Sequence, residues 1–323
     1  MDTILVTGGA GYIGSHTCKT LANSGFLPVT YDNLSTGHRS AVKWGPLIVG
    51  DIRDPKQLDI AFKQYKPKGV LHFAANALVI ESMTNPGKYY DNNVGGSISL
   101  LETMVANKVP YLVFSSTCAT YGHPQFSPIT EEHPQYPISP YGRSKLMVEQ
   151  IIADFGKAHG VCSLCLRYFN AAGADHALEI GENHTPETHL IPSIIEVAMG
   201  KRKELVVYGN DFSSIDGSAI RDYIHVEDLA KAHVSAIEWL FANNQSAIVN
   251  LGTGTGYSVL EIVQAVKTLS KKTVEVRFEK RREGEPSHLV ASYKKAKQLL
   301  NWEAKKSSLP QMIETAWKWH NRC

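Results

Sequence analysis

One stretch near the start of the chain constrains its fold more than any other. Thr7-Gly8-Gly9-Ala10-Gly11-Tyr12-Ile13-Gly14-Ser15-His16 follows directly on the apolar run Asp2-Thr3-Ile4-Leu5-Val6. The apolar run reads as a short strand, and His16, Cys18, Leu21 and Ala22 continue as a helix. A strand, a glycine turn and a helix make the first unit of a doubly wound parallel sheet. Glycines let the backbone approach phosphate oxygens, and the helix N-terminus supplies amide donors and positive potential. The spacing is G-x-x-G-x-x-G rather than G-x-G-x-x-G, so the turn by itself also fits a purely structural role. Val29-Thr30-Tyr31-Asp32 narrows the choice, because it reads as a second strand ending in an acid. An acid about 20 residues past such a turn accepts hydrogen bonds from an adenosine ribose and repels a 2′-phosphate, which favours NAD over NADP. Arg39 is the nearby cation that opposes this preference.

Strand and helix patterns alternate through the first half. Residues 46–49 read as a strand leading to Asp51-Ile52, 55–65 as a helix, and 69–75 as a strand with a small-residue end. A long helix over 86–107, a strand over 111–116 and a helix over 139–157 follow. This rhythm implies right-handed crossovers and a parallel sheet, with ligands beyond the strand C-termini. Asp32, Asp51, Ala74 and Ser115 all stand at such ends. Beyond about residue 175 the chain becomes loop-rich, with helices over 190–199, 226–241 and 259–270 and strands over 205–208, 248–251 and 273–278. The expected fold is therefore α/β: a Rossmann-type doubly wound parallel sheet in residues 1–175 and a smaller C-terminal α/β substrate domain in 176–323. The boundary is soft, because segments near 222–228 and 248–254 are free to return to the first domain.

The 33 basic and 31 acidic side chains nearly balance, and no dense basic tract suggests nucleic acid. No apolar run approaches the ~20 residues of a bilayer span. The first strand begins at the second residue, leaving no room for a signal peptide before it. Five scattered cysteines, odd in number, suit a reducing, cytoplasmic compartment. Cys162 and Cys165 form C-x-x-C inside an apolar run; residues three apart on a strand face opposite sides, so both read as core. No metal site is assigned.

Ser139-Pro140 has the form of a helix start, with Ser as N-cap and Pro in the first turn. Tyr141 and Lys145 then lie four apart on one face. A free phenol, with a pKa near ~10, is too weak a base at neutral pH. A nearby ammonium and a cationic nicotinamide both favour phenolate. A tyrosine so tuned takes the proton of a hydroxyl while hydride leaves the same carbon. Tyr-x-x-x-Lys alone equally fits a solvated helix face. The glycine turn, Asp32 and Ser115-Ser116-Thr117 weigh toward chemistry, with the Thr117 hydroxyl placed to relay the proton.

Over essentially its whole length the chain resembles the nucleotide-sugar branch of the extended short-chain dehydrogenase/reductase family. The glycine turn and Tyr141-Gly142-Arg143-Ser144-Lys145 are shared across that superfamily. Gly50-Asp51-Ile52-Arg53-Asp54, His72-Phe73-Ala74-Ala75, Tyr89-Tyr90-Asp91-Asn92-Asn93-Val94 and Asn250-Leu251-Gly252-Thr253-Gly254 also match. Arg167-Tyr168-Phe169-Asn170 and Arg221-Asp222-Tyr223-Ile224-His225-Val226 are more specific to nucleotide-sugar enzymes. The resemblance implies NAD held by Gly8, Gly11, Tyr12, Ile13 and Gly14, by Asp32, Asn33 and Ser35, by Asp51 and Ile52, and by Phe73, Ala74 and Ala75. Asn92, Ser115, Tyr141, Lys145 and Phe169 would complete that site. It implies a UDP-hexose held by Thr117, Asn170, His189, Leu190, Val206, Tyr208, Arg221, Arg282, Glu285 and Leu289, the two arginines gripping the diphosphate. His72 reads as a structural strand residue.

The reaction so implied is C4 epimerisation through a 4-keto sugar, with Tyr141 as base, Thr117 assisting and NAD resident. A homodimer joined by the helices beginning near Tyr89 and Tyr141 is also implied. Ala77, His189 and Glu285 depart from the residues common at those positions, and Leu289 stands where some members carry Tyr. A smaller residue there accompanies tolerance of N-acetylated sugars, so UDP-GlcNAc is an expected second substrate. A 4,6-dehydratase needs acids after the catalytic Thr, and Cys118-Ala119 stand there instead. A UDP-glucuronate or UDP-pentose 4-epimerase or decarboxylase stays open, as does a non-catalytic NAD-binding scaffold.

Overall fold

The computed structural model describes residues 1–282 and 285–322. In chain order its strands are β1 (Thr3–Thr7), β2 (Leu27–Asp32), β3 (Leu47–Val49), β4 (Gly69–His72), β5 (Tyr111–Thr117), β6 (Cys162–Tyr168) and β7 (Asn170–Ala172). They continue as β8 (Leu205–Tyr208), β9 (Ile220–His225), β10 (Ala247–Leu251), β11 (Gly256–Ser258), β12 (Val276–Glu279) and β13 (His288–Leu289). Seven of them form one parallel sheet in the order β10-β6-β5-β4-β1-β2-β3. The sheet grows one way from β1 to β3 and the other way from β4 onward. The crevice between β1 and β4 is thus the topological switch point, where doubly wound sheets take their ligands.

Alternation along each strand feeds two apolar layers. Ile4, Val6, Leu71 and Val113 face the helices Tyr12–Asn23 and Val226–Asn243. Leu5, Val70, Leu112 and Phe114 face the helices Pro55–Tyr65, Gly96–Ala106 and Pro140–His159. Strands covered on both faces need the near-continuous apolar runs seen here. Cys162 packs against the first layer and Cys165 lies within the second, so the C-x-x-C pair is divided between the two faces of the sheet.

A third apolar cluster joins the helices Leu190–Ala198, Val259–Ser270 and Leu309–His320 around β8. Around it β9 pairs with β7, β11 and β13, and β8 pairs with β12. Of the two segments expected to return to the large sheet, 248–251 does so within β10, beside β6. β9 stays with the smaller strands, while the helix that follows it lies on the large sheet.

The expected helix over 86–107 is broken into Pro86–Tyr89, a wider π-type segment Tyr90–Gly95, and Gly96–Ala106. Two forces impose the change. The Asn93 side chain turns inward to bond the backbone of Asn76, and Gly96 presses against Ile52, where a Cβ would lie 2.5 Å from Ile52 Cδ1. Among the described residues no helix is long and apolar enough to cross a membrane.

Candidate active site

The glycine turn seats the helix Tyr12–Asn23 against the end of β4. Gly8 has φ +73° and lies so close to the chain after β4 that a Cβ there would sit 2.6 Å from the Ala74 nitrogen. A Cβ on Gly11 would meet only the Gly8 carbonyl, at 3.3 Å, so this side of the turn is open to a ligand. Gly11 caps the helix without a side chain, and its first turn carries no acid. Among the described residues the amides of Tyr12, Ile13 and Gly14 find no acceptor, which leaves three donors for an anion. Asp32 is buried and accepts the Ala10 N–H (3.0 Å) and the Leu34 N–H (2.8 Å). A carboxylate has about four acceptor positions, so room remains for ribose hydroxyls. Burial raises its pKa, and the two amides oppose that.

Beside it Asn33 Nδ2 donates to Asp51 (3.1 Å), and Ser35 N–H donates to the Asn33 side chain (3.0 Å). Arg53 holds Asp51 well below the usual carboxylate range. Ile52 is buried next to this cluster. Phe73 and Ala74 N–H groups both donate to the Thr7 carbonyl, which fixes the run ending at Ala75 against β1. Asn92 is half-buried in the π-type segment, with its amide on Asn93. These residues form the crevice a dinucleotide requires: free amides, an open glycine face and an acid at the second strand end.

The candidate catalytic trio meets at the C-terminal end of β5. Ser139 caps the helix Pro140–His159 by accepting the Gly142 N–H (3.1 Å). Gly142 allows that helix to touch the turn after β5, since a Cβ would lie 2.5 Å from the Ala119 carbonyl oxygen. That approach brings Tyr141 to Thr117. The Tyr141 phenol is buried, and burial raises its pKa; the Thr117 hydroxyl pulls it back down. Lys145 Nζ donates to the Ser115 carbonyl (2.9 Å) and lies over the Phe114 ring (4.8 Å). Burial lowers the Lys145 pKa to about 8, and Glu149 partly offsets this. Two Nζ protons remain for a ligand. Ser115 shares a 2.5 Å hydrogen bond with the Tyr168 phenol.

The candidate substrate residues gather on the smaller strands. Arg221, nearly buried, donates to Glu285 (2.9 Å) and to the Ile220 carbonyl (2.8 Å). Leu289 stands beside Arg221 in the β13–β9 register. Leu289 and Cys118 also pack on the cluster of Tyr121, Ile129, Phe169 and Ala291, which joins these strands to the end of β5. The Arg282 guanidinium lies over the Tyr208 ring at 4.0 Å. Asn170 donates to the Asp222 carbonyl (3.0 Å). Val206 sits on β8 opposite Arg277. Leu190 opens its helix, and His189 before it pairs with Glu182 (2.6 Å). Among the described residues Glu285 Oε2 is buried with no partner, an acceptor awaiting a ligand donor.

Several supporting residues escaped the sequence reading. Asn93 bonds Asn76 and, through Nδ2, Ser144, tying the π-type segment to the Tyr141 helix. Asp222 is fully buried and accepts from Thr253, Gly254 and Ala291, which binds the segments after β10 and β13 to β9. Glu149, Arg167, Tyr121 and Asn250 form a buried chain of hydrogen bonds beneath the trio. Polar residues inside otherwise apolar runs were the available signal; their partners were not readable. His72 is buried and bonds Thr7 (2.7 Å) and Ser97 (2.9 Å), a structural role.

The sequence profile of the NAD dependent epimerase/dehydratase family matches residues 4–252. A UDP-glucose 4-epimerase of Rhizobium meliloti (strain 1021) is 50% identical, over 99% of this chain and 98% of that protein. The crystal structure of UDP-glucose 4-epimerase from Brucella ovis in complex with NAD is similar with a TM-score of 0.97, at 49% identity over 98% of each chain. The structure of the UDP-Glc/GlcNAc 4-epimerase from Campylobacter jejuni is similar with a TM-score of 0.87, at 38% identity over 100% of each chain. A profile covering most of the chain and relatives of this identity leave one assignment: the chain belongs to the NAD dependent epimerase/dehydratase family, in its UDP-glucose 4-epimerase group.

Proposed function

We propose that this chain interconverts UDP-glucose and UDP-galactose by inverting C4, with Tyr141 as the acid–base. The observation that carries the reading is the convergence of Thr117, Tyr141 and Lys145 at the end of β5, in the crevice lined by the glycine turn. When bound there, NAD accepts a hydride from C4 and gives it back, and its positive ring favours the phenolate. Tyr141 removes the O4 proton, with Thr117 bonded to the reacting oxygen and able to pass the proton on. Because burial opposes an isolated phenolate, the base forms only against a neighbouring positive charge. Lys145, with Nζ protons left over from its bond to the Ser115 carbonyl, would help to hold the cofactor. Arg221 and Arg282 hold the diphosphate, and Glu285 Oε2 accepts a ribose hydroxyl. With the UDP part gripped and the hexose loosely held, the 4-keto ring turns over and Tyr141 returns the proton after the opposite face is reduced. Binding energy spent on UDP keeps the keto sugar from leaving.

Leu289 leaves more room beside the sugar than Tyr would, which supports turnover of UDP-GlcNAc as well. The chain divides near residue 175 into a cofactor part and a UDP-sugar part, with β10 and the helix Val226–Asn243 belonging to the first; their packing on the large sheet supports this. The protein acts as a homodimer, supported by apolar side chains exposed on two adjoining helices: Val79, Ile80 and Met83 on one, Met147 on the other. A cytoplasmic location is supported by four unpaired cysteines among the described residues. The deciding experiment is incubation of the purified protein with UDP-galactose. Formation of UDP-glucose without added NAD is expected; unchanged UDP-galactose, or a decarboxylated or dehydrated product, would remove the reading.

A further inference from the structure

The segment Glu182-Asn183-His184-Thr185-Pro186-Glu187-Thr188-His189 folds back on itself so that two imidazoles and two carboxylates face one point. One donor atom from each of Glu182, His184, Glu187 and His189 lies within 4.8 Å of all the others. His184 Nδ1 is 3.3 Å from Glu182 Oε1 and 3.9 Å from Glu187 Oε2, and His189 Nδ1 is 2.6 Å from Glu182 Oε1 and 3.5 Å from Glu187 Oε1. Four donors at the ~2.0–2.1 Å of zinc–nitrogen and zinc–oxygen bonds stand roughly 3.4 Å apart in a tetrahedron. The 3.3 Å and 3.5 Å separations already lie close to that edge; the 3.9 Å one, measured to the other Glu187 oxygen, would have to close. The fourth is a hydrogen-bond distance that a central ion would open.

Two further features distinguish the cluster from a surface ion pair. Both carboxylate side chains are about 5% exposed, beneath the more open His184 (30%) and His189 (54%). A dication at the centre would meet both carboxylates and both imidazoles at once. Among the described residues, the buried His184 Nδ1 forms no hydrogen bond, although a carboxylate oxygen is 3.3 Å away. A ring nitrogen aimed into a ring of donors but bonded to none of them has the geometry of a ligand.

The surrounding structure holds these groups in place. Glu187 Oε1 accepts the N–H groups of Thr188 and His189, both at 2.8 Å, which turns Oε2 toward His184. Trp319 donates to the Glu182 carbonyl (2.7 Å), Arg202 to the Glu187 carbonyl (3.1 Å), and His38 bonds the Asn183 carbonyl (2.8 Å). Outer partners of this kind fix ligand orientation in metal sites. The Tyr12 ring meets His184 edge-on at 6.4 Å, and His189 leads directly into the helix beginning at Leu190.

We propose that Glu182, His184, Glu187 and His189 bind one divalent ion of the zinc class, a closed structural site that pins the cofactor turn at Tyr12 to the substrate helix at Leu190. Mixed imidazole and carboxylate donors in a tetrahedral set select Zn²⁺ or Co²⁺ over the oxygen-seeking Mg²⁺ and Ca²⁺. The proposal is independent of the C4 chemistry; either can fail without the other.

The test uses the full chain without an affinity tag, stripped with a chelator, dialysed and titrated with Zn²⁺ and with Co²⁺. Expected are about one ion retained per chain after gel filtration, a visible tetrahedral Co²⁺ band and a Zn²⁺-dependent rise in melting temperature. His184→Ala and Glu187→Gln should each abolish the band and weaken Zn²⁺ affinity at least tenfold, while His176→Ala, in the separate His176–His225–Glu227 cluster, should leave both unchanged. Circular dichroism confirms that each variant is folded, and His184→Gln replaces His184→Ala if that variant unfolds. Absence of retained metal and of the Co²⁺ band in the wild-type chain overturns the proposal. So does retention of both by folded His184 and Glu187 variants.

Discussion

Glu149 and Arg167 form a buried two-pronged ion pair: Arg167 Nη2 donates to Glu149 Oε2 at 2.5 Å and Nε to Oε1 at 2.9 Å, each side chain under 5% exposed. Glu149 lies one helical turn past Lys145 and also accepts the Ser116 hydroxyl at 2.5 Å, while Arg167 continues through Tyr121 (2.9 Å) to Asn250 (2.7 Å). The pair thus joins the helix Pro140–His159 to β5, β6 and β10 from beneath. Removing one partner strands the other charge in the interior, at a cost of about 3–5 kcal/mol. Glu149→Ala should therefore lower the unfolding free energy by that amount, read as a lower urea midpoint. Because Glu149 raises the Lys145 pKa, the variant should also move the alkaline limb of kcat/KM to lower pH. An unchanged midpoint would show that the pair contributes nothing net.

Tyr141→Phe keeps the ring and removes the acid–base. Turnover should fall about 10²–10⁴-fold, the usual worth of a placed proton carrier, while the purified protein keeps its NAD. Near-normal turnover would displace Tyr141 from its assigned role.

Leu289→Tyr adds bulk where β13 meets the Phe169 cluster. Turnover of UDP-GlcNAc should drop about tenfold or more while UDP-glucose turnover largely persists, as expected when one substrate group is crowded out. Equal losses on both sugars would place Leu289 away from the discriminating contact.

Four buried histidines set the acid stability. Burial lowers His72 and His225 to about 3, and His16 and His233 to about 4. The unfolded chain protonates these rings below about pH 6.5, whereas the folded chain does not until pH 3–4. The stability these four rings contribute is therefore full above pH 6.5 and is lost as pH falls toward 4. Each such histidine adds about 1.4 kcal/mol per pH unit to the slope. His233→Leu, in the apolar layer beside Phe73, should remove one proton's worth of that slope, measured by urea unfolding between pH 4.5 and pH 6.5. An unaltered slope would mean that His233 is not neutral in the fold.

The two adjoining helices expose Ile80 at 60% and Met147 at 43%. Light scattering should give a dimer mass for the wild-type chain, and Ile80→Asp with Met147→Asp should give a monomer that still binds NAD. A wild-type monomer at micromolar concentration would end the dimer reading.

Local physics wrote the cofactor half of this protein into its sequence. Short apolar strand runs, a glycine turn that only glycine can make, an acid at the end of β2, and a Ser-Pro helix start above Tyr141 depend on near neighbours alone. Each therefore reappears in the fold where the sequence places it. Tertiary structure decided whatever depended on distant partners. Gly142 looks like any helical glycine until its closeness to Ala119 shows why it is there. The expected uniform helix over 86–107 widened because Asn93 found Asn76 and Ser144, which no periodicity encodes. Lys145 bonds the Ser115 carbonyl, 30 residues earlier in the chain, a partner that the Tyr-x-x-x-Lys spacing does not encode. The Glu-x-His-x-x-Glu-x-His segment matches no familiar ligand spacing, and its four donors meet only because anchors from Arg202, Trp319 and His38 fold the loop closed. Sequence spacing fixes which faces and turns a chain can form; side chains far apart in the chain become partners only when packing has removed the water that would otherwise satisfy them.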